Sequence, residues 1–203
     1  MHRHALATTA ALLLAACGNN VVETDVARSG ATVTSVGEAA IGGPFTLVDD
    51  TGATVTEAEL LGQPSLIYFG FTYCPDVCPT SLARLGRAQE LMGEAAQEVQ
   101  FILISVDPER DTPEQLSVYV TNNGFPDGLR GFTGTPEQIE AAKLAYKVYA
   151  QKVPLEGSAA EYTMDHSDLI VMTGEDGKFV DMFTPRSTPQ EIAGRVRGYL
   201  ARR

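Results

Sequence analysis

Apolar positions along the chain fall into continuous runs and spaced stripes. Ser65 to Phe71 and Gln100 to Val106 are runs dominated by branched and aromatic residues, and between them Leu82, Leu85, Ala88 and Met92 recur at helical spacing. Two such runs around one amphipathic stripe predict a βαβ unit whose parallel strands are covered on both faces. Further on, Leu169 to Thr173 and Lys178 to Phe183 flank Gly174-Glu175-Asp176-Gly177, which predicts a hairpin. Ile192, Val196, Tyr199 and Leu200 then give a closing helix one apolar face. Upstream, Gly43-Pro44-Phe45-Thr46-Leu47 and Thr54-Val55 surround a Gly-containing turn, so a short hairpin packed on one edge is expected. A βαβ unit, an intervening helix and a final ββα unit compose an α/β, thioredoxin-like fold with an N-terminal β-hairpin extension.

Polar residues at helix starts follow one grammar. Thr112-Pro113-Glu114-Gln115, Thr135-Pro136-Glu137-Gln138 and Thr188-Pro189-Gln190-Glu191 each set Thr at the cap, Pro at the first helical position and Gln or Glu three residues on. Cys78-Pro79-Thr80-Ser81 has the same form with a cysteine in the Thr place. The parallel predicts Cys78 as the cap of the first helix, with Cys74 to Val77 as the turn before it. A cap cysteine sits at the positive end of the helix dipole, so its thiol pKa is expected to fall.

The ends of the chain are different. Met1 to Ala16 carry Arg3 and then an Ala/Leu run, too short to cross a bilayer core of ~30 Å, and are read as an export signal. Leu14-Ala15-Ala16-Cys17 looks like a bacterial lipobox, with Cys17 as the lipidated new N-terminus; plain secretory cleavage is the alternative. Lipidation would hold the protein on a membrane surface, with residues 17–40, polar and small, as a flexible tether and residues 41–203 as the working domain. The domain then faces the periplasm or extracytoplasmic side, where a thiol pair can oxidise. At 203 residues the chain can bury a core without disulfide staples, and its net charge of −11 excludes a nucleic-acid binder, which must neutralise phosphates.

Elimination sharpens the chemistry. Of three cysteines Cys17 ends the leader, and of three histidines His2 and His4 lie inside it. Cys74, Cys78 and His166 remain. Two soft thiolates and one imidazole are poor for structural zinc, which wants four closed ligands, and suit copper. Cys-x-x-x-Cys is also close enough for a redox-active or structural disulfide. His166 alone reads more readily as an ordinary surface or core histidine than as a ligand, but its case improves because Asp165-His166-Ser167 precedes the strand near Leu169, in a loop expected to lie against the first helix. Asp76 and Asp165 are candidates to orient His166 or to offer a weak fourth ligand, unless they serve only their turns. Met164 is read as packing rather than as a thioether ligand. Asp107 to Asp111 follow the second strand and are a candidate docking rim.

Several blocks in order carry a resemblance: Gly43 to Leu47, Tyr68 to Pro79, Ile104-Ser105-Val106-Asp107-Pro108-Glu109-Arg110-Asp111-Thr112-Pro113, and Tyr162-Thr163-Met164-Asp165-His166-Ser167. On these the chain resembles the Sco/SenC family of copper-binding proteins. The resemblance implies one copper, Cu(I) or Cu(II), held by Cys74, Cys78 and His166. It also implies a role in assembling the dinuclear copper centre of cytochrome c oxidase, with the subunit carrying that centre as partner. An upstream copper donor and a thiol reductant would complete the partner set. Tyr73 stands where that family often has histidine and Met164 where valine is common; neither touches the ligand set.

Two functions therefore compete. A metallochaperone would hold copper in an exposed, incompletely coordinated site and pass it on by ligand exchange. A thiol-disulfide oxidoreductase would reduce the partner's cysteines, although the Cys-x-x-x-Cys spacing and the lack of a proline directly before Leu169 depart from thioredoxins. A peroxidase reading rests only on the similar fold and the Asp107-Pro108 region.

Overall fold

The computed structural model describes residues 41–203; the expected export signal, Cys17 and the expected tether lie outside the described residues. Its order is β1 (Thr46–Asp49), β2 (Thr54–Thr56), β3 (Ser65–Gly70), α1 (Val77–Met92), β4 (Gln100–Ser105), α2 (Pro113–Tyr119), β5 (Arg130–Thr133), α3 (Pro136–Tyr146), β6 (Ala150–Pro154), β7 (Tyr162–His166), β8 (Ile170–Thr173), β9 (Phe179–Phe183) and α4 (Pro189–Leu200). Among the described residues seven strands form one sheet in the order β2-β1-β5-β4-β3-β8-β9, while β6 and β7 pair only with each other.

The pattern-based expectations explain the sheet. β3 and β4 are parallel and in register from Ser65 opposite Gln100 to Gly70 opposite Ser105. All six β3 residues are buried, as a central strand requires. β8 runs antiparallel to β3 and turns back into β9 through Gly177, whose φ of +72° suits glycine. The β1–β2 hairpin lies at the far edge, beyond β5. α1 packs against α4, whereas α2 lies on β5 and α3 on β1. The core gathers Phe69, Phe71, Leu82, Leu85, Phe132, Ile192 and Val196 from these layers. This is the thioredoxin-like arrangement.

The three Thr-Pro starts cap α2, α3 and α4, with complete capping boxes at Thr135 and Thr188. Cys78 does not follow them. α1 begins at Val77 with Asp76 as its cap, which puts Cys78 and Pro79 inside the first turn. Pro79 is tolerated there because the first four N–H groups of a helix have no partner within it. Thr80 N closes the first turn on the Asp76 carbonyl at 3.1 Å. His166 also differs from expectation: it ends a strand, β7, rather than lying in a loop. Among the described residues no helix is long and apolar enough to cross a membrane.

Candidate metal centre

β3 delivers the chain to the site. After Gly70 it turns through Phe71, Thr72 and Tyr73 to Cys74, and Thr72 is tied down by Asp111, which accepts from its N–H at 3.1 Å and its hydroxyl at 2.6 Å. Asp111 is fully buried and also accepts from Ser105 Oγ at 2.6 Å; burial outweighs these bonds and raises its pKa. Asp107 is buried as well, so these two carboxylates brace the site from beneath, while Glu109 between them stays exposed on the surface.

The two sulfurs occupy unlike environments. Cys74 is half-buried, and the Cys78 N–H of the opening helix points at its Sγ, 3.3 Å away. Cys78 is fully buried and turned toward β3. Gly70 makes that position possible: a Cβ there would sit 2.7 Å from Tyr68 Cε1 and 3.1 Å from Cys78 Sγ. Hydrogen bonding from Cys78, against the cost of burial, holds the Cys74 thiol down at about 4, helped by His166 and by the Cys78 and Asp76 backbone N–H groups. The Cys78 thiol is pushed up by the Cys74 sulfur it donates to and by burial. The expected assignment is thus reversed. The helix start favours a thiolate at Cys74, toward which the Cys78 N–H points, and not at Cys78.

His166 closes the site from the other side. Its Nδ1 donates to the Ser167 carbonyl at 3.1 Å, which turns Nε2 to within 3.3 Å of Cys78 Sγ. Its ring meets Phe71 and Tyr68 edge-on, at 5.7 and 6.2 Å. Burial disfavours the imidazolium, but the bond to the Cys74 sulfur, the Ser167 carbonyl and the charges of Cys74 and Asp168 prevail, and the His166 pKa is raised. The donor atoms of Cys74, Cys78 and His166 all lie within 4.8 Å of one another, a group able to hold one metal ion. Cys74 and His166 are partly exposed, so an incoming ligand has a path to the site.

Neither candidate carboxylate belongs to the group of converging donor atoms. Asp165 is exposed and, beside His166 on β7, points to the opposite face by strand alternation. Asp76 is exposed at the α1 cap and makes no cap hydrogen bond with its side chain. Asp168 is the acid that reaches the site: it accepts from the buried Ser81 Oγ at 2.7 Å, joining α1 to the segment after His166. Arg84 reaches the same hydroxyl and the Pro185 carbonyl. Ser81 lies one turn after Cys78 and so on the same side of α1. Met164 packs half-buried against the core.

Comparison with known proteins agrees with this geometry. The SCO1/SenC family model matches residues 33–201. The chain is 39% identical to SenC of Rhodobacter capsulatus over 97% of its own length and 89% of that protein. It is 36% identical to the mitochondrial SCO1 homolog of Homo sapiens over 81% of its own length and 54% of that protein, so it spans about half of this relative. Among solved structures, Bradyrhizobium japonicum ScoI with copper bound is 46% identical with a TM-score of 0.71, covering 79% of this chain and 99% of that one. Arabidopsis thaliana ScoI, also with copper bound, is 38% identical with a TM-score of 0.73, covering 80% and 99%. A model match across most of the chain, together with these identities, establishes that the protein belongs to the SCO1/SenC family.

Proposed function

We propose that this protein binds one copper ion through Cys74, Cys78 and His166 and delivers it to the dinuclear copper centre of cytochrome c oxidase. The convergence of two sulfurs and Nε2 within 4.8 Å carries the reading. A soft, three-coordinate S₂N set suits Cu(I). Two solved relatives hold copper, and another is described as a member of a family of cytochrome c oxidase assembly proteins. The half-exposed Cys74 and His166 let a thiol or imidazole of the oxidase subunit attack the metal while Cys78 still holds it. A lipidated Cys17 at the periplasmic membrane face, a copper donor and a thiol reductant complete this proposal.

The test is a Cu(I) titration against a competing chelator, with the reduced chain carrying Cys17→Ser so that Cys74 and Cys78 are the only thiols. One tightly held copper, strongly weakened by His166→Ala and transferable to the isolated copper-centre domain of the oxidase, is the expected result. Tight binding indifferent to His166 would rule out the ligand set. A thiol-disulfide role is favoured by one observation, the acidic Cys74 thiol beside a protonated Cys78. That role predicts reductase activity that survives His166→Ala and is lost with either cysteine.

A further inference from the structure

The ribbon that carries His166 shares no strand pairing with the seven-stranded sheet. A two-stranded ribbon is marginal by itself, so side chains must set where its end lies. Tyr162, Met164 and His166 alternate onto one face of β7. Tyr162 is gripped at the far end of that row. The Arg110 guanidinium lies over its ring, 3.7 Å from the centroid, and Nη1 donates to the Tyr162 and Ala160 carbonyls at 3.1 and 3.3 Å. Buried Asp107 holds both partners: Oδ2 pairs with Arg110 Nε at 2.5 Å, and Oδ1 accepts from Tyr162 Oη at 2.8 Å. The same guanidinium stands 4.8 Å from the ring of Tyr73, next to Cys74. One short loop, Asp107 to Asp111, thus references both the cysteine turn and the histidine strand.

We propose that Arg110 is a positioning residue for the metal centre: stacked on Tyr162 and locked by Asp107, it sets the distance of His166 from the Cys78 sulfur. The inference rests on the copper site proposed above. Arg110 contributes no ligand atom; it acts through β7. A planar guanidinium lies flat on the ring while its rigid edge donates to the carbonyls and the carboxylate; a lysine ammonium is a compact donor on a flexible stem without that fork, so Arg110→Lys loosens the clamp while keeping the charge.

A double-mutant cycle with Cu(I) tests this on the full chain carrying Cys17→Ser. Arg110→Lys should lower Cu(I) affinity about 10- to 100-fold, as loss of support behind a ligand does. In the His166→Ala background the same substitution should change affinity by no more than about twofold, because the residue it positions is gone. Tyr162→Phe, which keeps the ring under the guanidinium but loses the Asp107 bond, should lower affinity less than Arg110→Lys does, and in the Cu(II)-loaded protein Arg110→Lys should weaken the imidazole-nitrogen hyperfine signal. If Arg110→Lys does not fold, Tyr162→Leu runs the same cycle. An equal loss in both backgrounds, or no loss in the parent, overturns the proposal while leaving the ligand set intact. A His166→Ala variant that binds like the parent overturns the ligand set instead, and the clamp with it.

Discussion

The two halves of the metal centre are built by different means. Cys78 hangs from a βαβ unit in which β3 is sealed on both faces and joined to β4 along its whole length, so backbone hydrogen bonds and the core fix it. His166 comes from a ribbon that is exposed along β6 and only partly buried along β7, and side chains fasten it to the rest: Arg110 and Asp107 on Tyr162, and Asp168 on Ser81 just beyond His166. One donor set thus combines a rigid sulfur with a nitrogen whose position a few contacts decide. In the delivery role proposed above, that division lets the fold survive when one ligand moves away.

The comparison can be broken most forcefully in the sheet. Phe69→Ala, at a fully buried β3 position, should cost about 3–5 kcal/mol in chemical denaturation. A loss below about 1 kcal/mol, the ordinary effect of a surface change, would contradict the rigid half.

Acidity supplies the next largest effect. Around pH 5–6 the apo site holds protons on Cys78 and His166, whose pKa values are raised, but not on Cys74, whose value is about 4. Copper must displace about two protons, so its affinity should rise about 100-fold per pH unit there. Once pH passes the raised His166 value the slope should fall to about tenfold per unit, and in His166→Ala it should be about tenfold throughout. A parent and variant with the same slope would mean that the imidazole does not compete with the metal for its proton.

Smaller effects probe the junction. Gly70→Ala should cost about 1–3 kcal/mol, because the new methyl meets the buried Tyr68 ring and the Cys78 sulfur, and it should weaken copper binding as well. Unchanged stability and binding would show that the sulfur is not held there. Ser81→Ala should cost about 1 kcal/mol by removing the Asp168 bond. Val153→Ala, on the exposed ribbon, should fall within about 0.5 kcal/mol of the parent. If the Val153 change proved costlier than the Ser81 change, the ribbon would be carrying its own packing.

The same division explains what could be read from the sequence. Continuous apolar runs made β3, α1 and β4 legible, the Thr-Pro starts marked three helices, and elimination isolated Cys74, Cys78 and His166. β5 escaped notice because it is four residues long with a glycine inside, and β6 because Gln151 and Lys152 give it no apolar run. Which sulfur is acidic depends on where the free N–H groups of α1 point, a matter of one residue in the helix start. Asp168 and Arg110 work through contacts across 87 and 52 positions of chain, to Ser81 and Tyr162, and no local pattern encodes these pairings.

The most direct test of the central claim is X-ray absorption at the copper edge of the Cu(I)-loaded chain carrying Cys17→Ser. The account predicts a first shell of two sulfurs and one nitrogen, with the nitrogen lost in His166→Ala. A shell of two sulfurs alone, identical in parent and variant, would contradict it.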